Sequence, residues 1–302
     1  METNRIITIS EEKGLKVSLI SLGASIFTIE FDGQIMTLTP STIDEFTLPR
    51  IYYGKMIGPI ANRIKDGLLE INGKKYTYDI NEGRNTLHSG KNGISNKEFN
   101  YKLSKNKKEV IFYLEEKEVR YEFIYQVDGS TLNLSIKAMA KEDIPLALTN
   151  HAYFCLGDDG LDDLSLYIPA NEFVETESTT LLPLREKDLI PCLDFNETKR
   201  IMQDINNPYL MNHRSLGYDH CFLLNKGKLR LENSHYILNI ITDFKAVQIY
   251  SDNYPDAIKM MTSNKENHRG IAIEPQDSLL DRQLIKKGSV YSRTIQYHFS
   301  KK

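Results

Sequence analysis

Two stretches far apart in the chain each place a side chain that can hold and pass a proton. Glu274 stands in Gly270-Ile271-Ala272-Ile273-Glu274-Pro275-Gln276. Strand alternation there sets Ile271 and Ile273 on one face and Ala272 and Glu274 on the other, and Pro275 holds the glutamate to extended backbone. The carboxylate is therefore positioned rather than casually exposed. His151 lies in Leu146-Ala147-Leu148-Thr149-Asn150-His151-Ala152-Tyr153-Phe154-Cys155-Leu156, a run with no helix cap, no helical period and no internal Gly or Pro. As one continuous strand it puts Leu146, Leu148, Asn150, Ala152 and Phe154 on a mainly apolar face, with Ala147, Thr149, His151, Tyr153 and Cys155 on the other. A carboxylate and an imidazole are each side chains that can act in general acid–base chemistry. Either residue alone reads more simply: a half-buried, hydrogen-bonded strand histidine, and a strand-end acid.

Three further segments carry polar groups where filler or a plain turn is expected. Gly58-Pro59-Ile60-Ala61-Asn62-Arg63-Ile64 offers an amide and a guanidinium, the latter with several donors in a fixed plane. Asn81-Glu82-Gly83-Arg84-Asn85-Thr86-Leu87-His88-Ser89-Gly90 is a glycine-bounded loop with His88 beside its last turn. Gly217-Tyr218-Asp219-His220-Cys221-Phe222-Leu223 opens a strand on Asp219, which points away from the face of His220 and Phe222. A surface arginine and a strand-start aspartate are the plain alternatives. A metal site built from His88, His151 and Glu274 lacks any His-x-His or His-Glu-x-x-His spacing.

The elements that must position these groups read as strands. Leu15 to Thr39 gives strand, break at Gly23, strand, Asp32-Gly33 turn, strand, and Leu68 to Tyr78 folds back at Asn72-Gly73, whose residues accept the positive φ of a tight hairpin turn. Strands are expected at Val110 to Leu114, Tyr121 to Val127, Thr131 to Ala140, and through Leu166 and Ile168. They resume at Cys221 to Leu224, Leu229 to Glu232, Tyr236 to Thr242, Ala246 to Tyr250, Gly270 to Glu274 and Val290 to Phe299. Residues 171 to 215, with Pro183, Pro191 and Pro208, read as long irregular loops. Short helical turns are expected near Thr42 to Phe46 and Gln203 to Asn206. Turn spacing of this kind belongs to an all-β antiparallel sandwich. With no repeat or flexible linker, residues 1–302 are expected to form a single domain with few short helices.

Composition narrows the function classes. The 302 residues include 38 basic and 41 acidic side chains, a formal net charge of -3, so there is no general field for nucleic acid or anionic membrane. Met1-Glu2-Thr3-Asn4-Arg5-Ile6 lacks a signal-peptide pattern and no apolar run is long enough to span a bilayer, so a cytoplasmic protein is expected. Cys155, Cys192 and Cys221 are widely spaced and read as small buried apolar residues. No Gly-x-Gly-x-x-Gly or Walker-type loop is present to cradle a nucleotide.

Six short motifs in order resemble those of the aldose 1-epimerase (mutarotase) family: Ala-Asn-Arg at 61 to 63, Asn-x-Leu-His-x-Gly at 85 to 90, Leu-Thr-Asn-His-x-Tyr-Phe at 148 to 154, Tyr-Asp-His at 218 to 220, Val-Gln-Ile-Tyr at 247 to 250 and Glu-Pro-Gln at 274 to 276. The resemblance covers roughly residues 15 to 299. It implies a large antiparallel β-supersandwich with a sugar cleft, no metal and no organic cofactor. It also implies Glu274 as general base, His151 as general acid, and Asn62, Arg63, His88 and Asp219 as ligands of sugar hydroxyls, with Gln276 and Tyr250 near neighbours. Three departures stand out: Ser89 where a second glycine is usual, Arg84 where a proline is common, and Asp277-Ser278-Leu279-Leu280-Asp281. A small-molecule sugar is the expected partner, and the protein is expected to be a monomer or homodimer.

Carboxylate and imidazolium are the expected resting forms of the pair, each charge favouring the other while burial opposes both. Any ring stacked under the sugar must be Tyr or Phe, since the chain has no Trp; Tyr153, Phe154, Tyr218, Phe222 and Tyr250 are candidates. Two other readings stand beside the free-sugar epimerase: a hexose-phosphate 1-epimerase using Arg84 to hold a phosphate, and a non-catalytic carbohydrate-binding protein.

Overall fold

Hairpins form where turn chemistry meets alternating runs. Asn72 and Gly73 take φ values of 52° and 74° between the strands Leu68–Ile71 and Lys74–Thr77, and Asp32 and Gly33 take 53° and 77° between Ser25–Phe31 and Gln34–Ile35. In the pair Val119–Asp128 and Thr131–Ala140, Phe123, Tyr125, Leu134 and Ile136 turn inward while Glu122, Asn133 and Lys137 turn out. The computed structural model describes residues 6–255 and 257–302; the Met1 to Arg5 start lies outside the described residues.

Three antiparallel sheets carry most of the chain. A four-stranded sheet takes Ile6–Ser10, Lys16–Ile20, Ser25–Phe31 and Gln34–Ile35 in sequence order. A nine-stranded sheet runs Asn100–Leu103, Glu109–Glu115, Val119–Asp128, Thr131–Ala140, Val290–Lys301, Tyr236–Thr242, Lys228–Glu232, Ser165–Tyr167 and Lys199–Arg200. The third has six strands, in the order Tyr153–Phe154, Ile271–Gln276, Ala246–Tyr250, Asp219–Leu224, Ala170–Thr176 and Pro183–Asp188. One apolar core joins them, drawing Val17 and Ile29 from the first, Phe123, Leu134 and Ile295 from the second, and Phe222, Val247 and Ile273 from the third. This is an all-β sandwich; among the described residues the only α-helix is Pro208–Met211. No helix among them is long and apolar enough to cross a membrane.

Two regions depart from the sequence reading. Residues 171–215 are not simply loop: Ala170–Thr176 and Pro183–Asp188 pair with each other at the rim of the six-stranded sheet. The run from Leu146 to Leu156 is three short strands rather than one. Ile144–Leu146 pairs with Gln283–Ile285, Thr149–Asn150 with Met56–Ile57, and Tyr153–Phe154 with Ile271–Gln276. His151 falls in the gap between the second and third. There its backbone N–H donates to Lys55 O (2.9 Å) and its carbonyl accepts from Gly54 N–H (2.9 Å).

Candidate active site

Glu274 lies on the second strand of the six-stranded sheet, one in from the Tyr153–Phe154 edge. Its strand lies between Tyr153–Phe154 and Ala246–Tyr250, and the register places Gln248 directly across from Glu274 and Tyr250 across from Ala272. The next strand continues the row, with Asp219 opposite Tyr250. Pro275 keeps the glutamate extended, and its carbonyl is fixed by the Thr149 hydroxyl (2.8 Å), which ties the glutamate's strand to the segment carrying His151.

The two reactive groups meet. His151 Nε2 lies 3.4 Å from Glu274 Oε1, both side chains buried at the floor of a cavity of about 540 Å³. His151 Nδ1 and Glu274 Oε2 make no hydrogen bond to the protein. Tyr52 and Tyr153 both stack on the imidazole, with ring centroids 5.8 and 5.2 Å away and interplanar angles of 23° and 22°.

Burial pushes His151 down to about 3 and raises Glu274 well above the carboxylate range. Asp219 pushes Glu274 further up, while Arg63 pulls it down. The expected resting form, carboxylate beside imidazolium, is thus opposed by the dry floor of the cleft. Both the neutral and the charge-separated forms hold one proton between the two groups, so they differ by a proton shift rather than by net charge. The stacked tyrosine faces favour the imidazolium and work against desolvation.

His88 and Asn62 lock each other in place. Asn62 (φ 63°) and His88 (φ 52°) both occupy left-handed backbone that non-glycine residues rarely adopt. Asn62 N–H donates to His88 Nδ1 (3.2 Å) and His88 N–H donates to Asn62 O (3.1 Å). An accepting Nδ1 leaves the imidazole proton on Nε2. Burial, with the nearby His151, Arg63 and Arg50, lowers the His88 pKa, so this ring is neutral.

Arg63 is held by both oxygens of Glu82, Nε to Oε2 at 2.6 Å and Nη2 to Oε1 at 3.1 Å, and its Nη1 lies 3.7 Å from Asp219. Burial raises the Asp219 pKa, and Arg63 opposes it. The loop is clamped from behind by Arg282, whose Nη1 and Nη2 donate to the carbonyls of Ala61 (3.2 Å) and Arg63 (2.8 Å). Asn62, Arg63, His88, His151, Asp219, Tyr250 and Glu274 therefore line one cleft.

Gln276 does not reach that wall. It is buried behind it, with Nε2 against Cys221 Sγ at 3.6 Å. The glutamine in the cleft is Gln248, which accepts from Asn62 Nδ2 (3.2 Å) and donates to Asp219 (2.6 Å). It sits two residues before Tyr250 on the same strand face, so alternation within Val-Gln-Ile-Tyr was the signal for it. Glu82, Tyr52 and Tyr53 also line the cleft and were not singled out from sequence. Of the proposed stacking residues, Tyr153 and Tyr250 reach the cleft, whereas Phe154, Tyr218 and Phe222 pack in the core. Arg84 points away: its side chain is 88% exposed and pairs with Asp66 at 3.1 Å. Ser89 replaces glycine by bonding its hydroxyl to both the N–H and the carbonyl of Ile60 at a φ of 65°. Among the described residues, no group of three or more His, Cys, Asp or Glu side chains is placed to hold a metal ion.

Residues 5–298 match the aldose 1-epimerase family. The chain belongs to that family. The galactose mutarotase of Sus scrofa is 26% identical over 318 residues, covering 95% of this chain and 91% of its own length. The aldose 1-epimerase of Haemophilus influenzae is 27% identical over 305 residues, covering 90% and 86%. Among solved structures, the GalM/aldose epimerase homologue from C. elegans superposes with a TM-score of 0.87 at 27% identity, covering 99% of both chains. Galactose 1-epimerase from Lactobacillus acidophilus has the same fold, with a TM-score of 0.87 at 22% identity, covering 97% of this chain and 93% of its own.

Proposed function

We propose that this aldose epimerase interconverts the α and β anomers of free hexoses such as galactose or glucose, with Glu274 as general base and His151 as general acid. The single observation that supports these roles is the 3.4 Å approach of His151 Nε2 to Glu274 Oε1 at the floor of a sugar-sized cleft. In the forward half-reaction the Glu274 carboxylate takes the proton of the C1 hydroxyl as the bond from C1 to the ring oxygen breaks. The ring oxygen takes its proton from the His151 imidazolium, leaving an open-chain aldehyde. Rotation about C1–C2 turns the other carbonyl face to the ring oxygen. On closure His151 recovers that proton and Glu274 returns one to O1, so the pair ends as it began. Each positioned proton transfer is worth about 10²–10⁴-fold.

Neutral His88 Nε2–H, Asn62, Arg63, Asp219 and Gln248 supply donors and acceptors for the remaining hydroxyls. A site that pairs with hydroxyls rejects sugars that leave those groups unmatched. A binding protein needs donors and acceptors but has no use for an adjacent acid and base, which favours the enzyme. Polarimetry of freshly dissolved α-galactose and α-glucose tests the reading, with Glu274→Gln as the control. The substitution should lower turnover by about 10²-fold or more with an unchanged melting temperature, and near-normal activity would refute Glu274 as the base.

A further inference from the structure

We infer that the mouth of the cleft receives a negative charge carried by the sugar away from C1, so that anionic aldoses, bearing a phosphoryl or carboxylate group, are substrates alongside neutral ones; this rests on the mutarotase reading above. Three guanidiniums converge on one carboxylate there. Arg63 occupies both oxygens of Glu82, which is buried. Arg50 and Arg214 approach the same Oε1 only at 3.7 and 3.9 Å, beyond hydrogen-bond reach, and are about half exposed at 54% and 47%. Their strongest partner is already taken.

The charge count points the same way. At this end of the cleft Arg50, Arg63 and Arg214 face Glu82 and Asp219, a surplus of one positive charge. Asp252, on another wall, is matched by Arg269 at 2.6 Å, and the His151–Glu274 pair is neutral as a unit. Arg214 is also pre-positioned: its Nη1 donates to Thr179 O at 3.3 Å and its backbone carbonyl accepts from the Tyr254 hydroxyl. Because the Nη2 atoms of Arg50 and Arg214 lie against one oxygen atom, a single anion entering the mouth can touch both. Planar guanidinium forks are the side chains best matched to phosphate and carboxylate oxygens.

The test compares anomer exchange of galactose, galactose 6-phosphate and galacturonate, corrected for the uncatalysed rate, in the wild type and in the double variant Arg50→Gln, Arg214→Gln. Wild type should exchange at least one anionic sugar with a kcat/KM no lower than that for galactose. The double variant should lose about ten-fold or more on that sugar, mainly through KM, while galactose stays within about two-fold. Loss on galactose 6-phosphate alone assigns the mouth to a phosphoryl group; loss on both assigns it to anions generally. Anionic sugars indifferent to the double substitution, or exchanged far more slowly than galactose by the wild type, would overturn the inference while leaving the mutarotase reading intact. Failure to exchange galactose itself would remove that reading and the inference with it.

Discussion

Replacing Lys55 with methionine probes a buried charge in the residue whose carbonyl holds the His151 backbone N–H. Lys55 is 1% exposed, its ammonium donates to Phe46 O at 2.7 Å, and no carboxylate among the described residues pairs with it. Burial pushes its pKa down from 10.5 to about 8. Between those values the unfolded chain keeps a proton that the folded chain has released, so the wild type gains stability as pH rises from about 8 to 10.5. The full gap corresponds to roughly 3 kcal/mol, and the part lying between pH 7 and pH 10 to roughly 2.5 kcal/mol. Methionine fills similar space without a charge, but it strips Phe46 O of its donor, a loss of about 1–3 kcal/mol that does not depend on pH. The trend of the difference with pH therefore isolates the charge from the lost hydrogen bond. Urea denaturation of both proteins at several pH values should show the variant's stability relative to wild type falling by roughly 2.5 kcal/mol from pH 7 to pH 10. All other titrating groups are common to both proteins and cancel. A difference that stays constant across this range would mean that Lys55 is not held as a desolvated charge.

In the mechanism proposed above, His151 and Glu274 share one proton, so kcat/KM should follow a bell-shaped pH profile. Gaining a second proton, at the lowered histidine pKa of about 3, sets the acid limb, and losing the single proton, at the raised Glu274 pKa, sets the alkaline limb; activity that climbs steadily with pH would refute the shared proton. Gln248→Leu removes the donor to Asp219 and the acceptor for Asn62 together. It should cut kcat/KM by about 10- to 100-fold with the pH profile unmoved, and a wild-type value would show that Gln248 does not order the cleft.

The fold was most legible where one face of a strand meets water. Val119–Asp128 and Thr131–Ala140 alternate because one side packs and the other is solvated, and Asn72-Gly73 announces its hairpin by φ alone. Alternation fails where both faces are covered. Thr149 and Asn150 are buried alike, as are Tyr153 and Phe154, so nothing in the pattern marks the two breaks that hand this segment from one partner strand to the next. It fails again at the sheet rim, where Pro183–Asp188 is mostly exposed and is pinned by Arg185 and Lys187 to Glu175 rather than by apolar contacts. Site residues followed the same logic. Tyr250 and Glu274 could be placed by alternation, and the same rule applied one step back gives Gln248. Gln276 entered through the resemblance of its Glu-Pro-Gln motif, but its amide ends against Cys221. Arg84 suggested phosphate from its loop alone, while the arginines that do face the cleft, Arg50 and Arg214, lie in segments with no marking pattern.

The central place of Val290–Lys301 in the nine-stranded sheet has a consequence for how the protein is made. That strand pairs with Thr131–Ala140 on one side and Tyr236–Thr242 on the other, and among the described residues it alone joins the two halves of the sheet. A chain growing from the ribosome therefore holds two open sheet edges until residue 290 and beyond have emerged. Each edge offers unpaired backbone to other nascent chains. Until that strand is in place the sheet cannot close, and both edges stay open to pairing with the wrong partner.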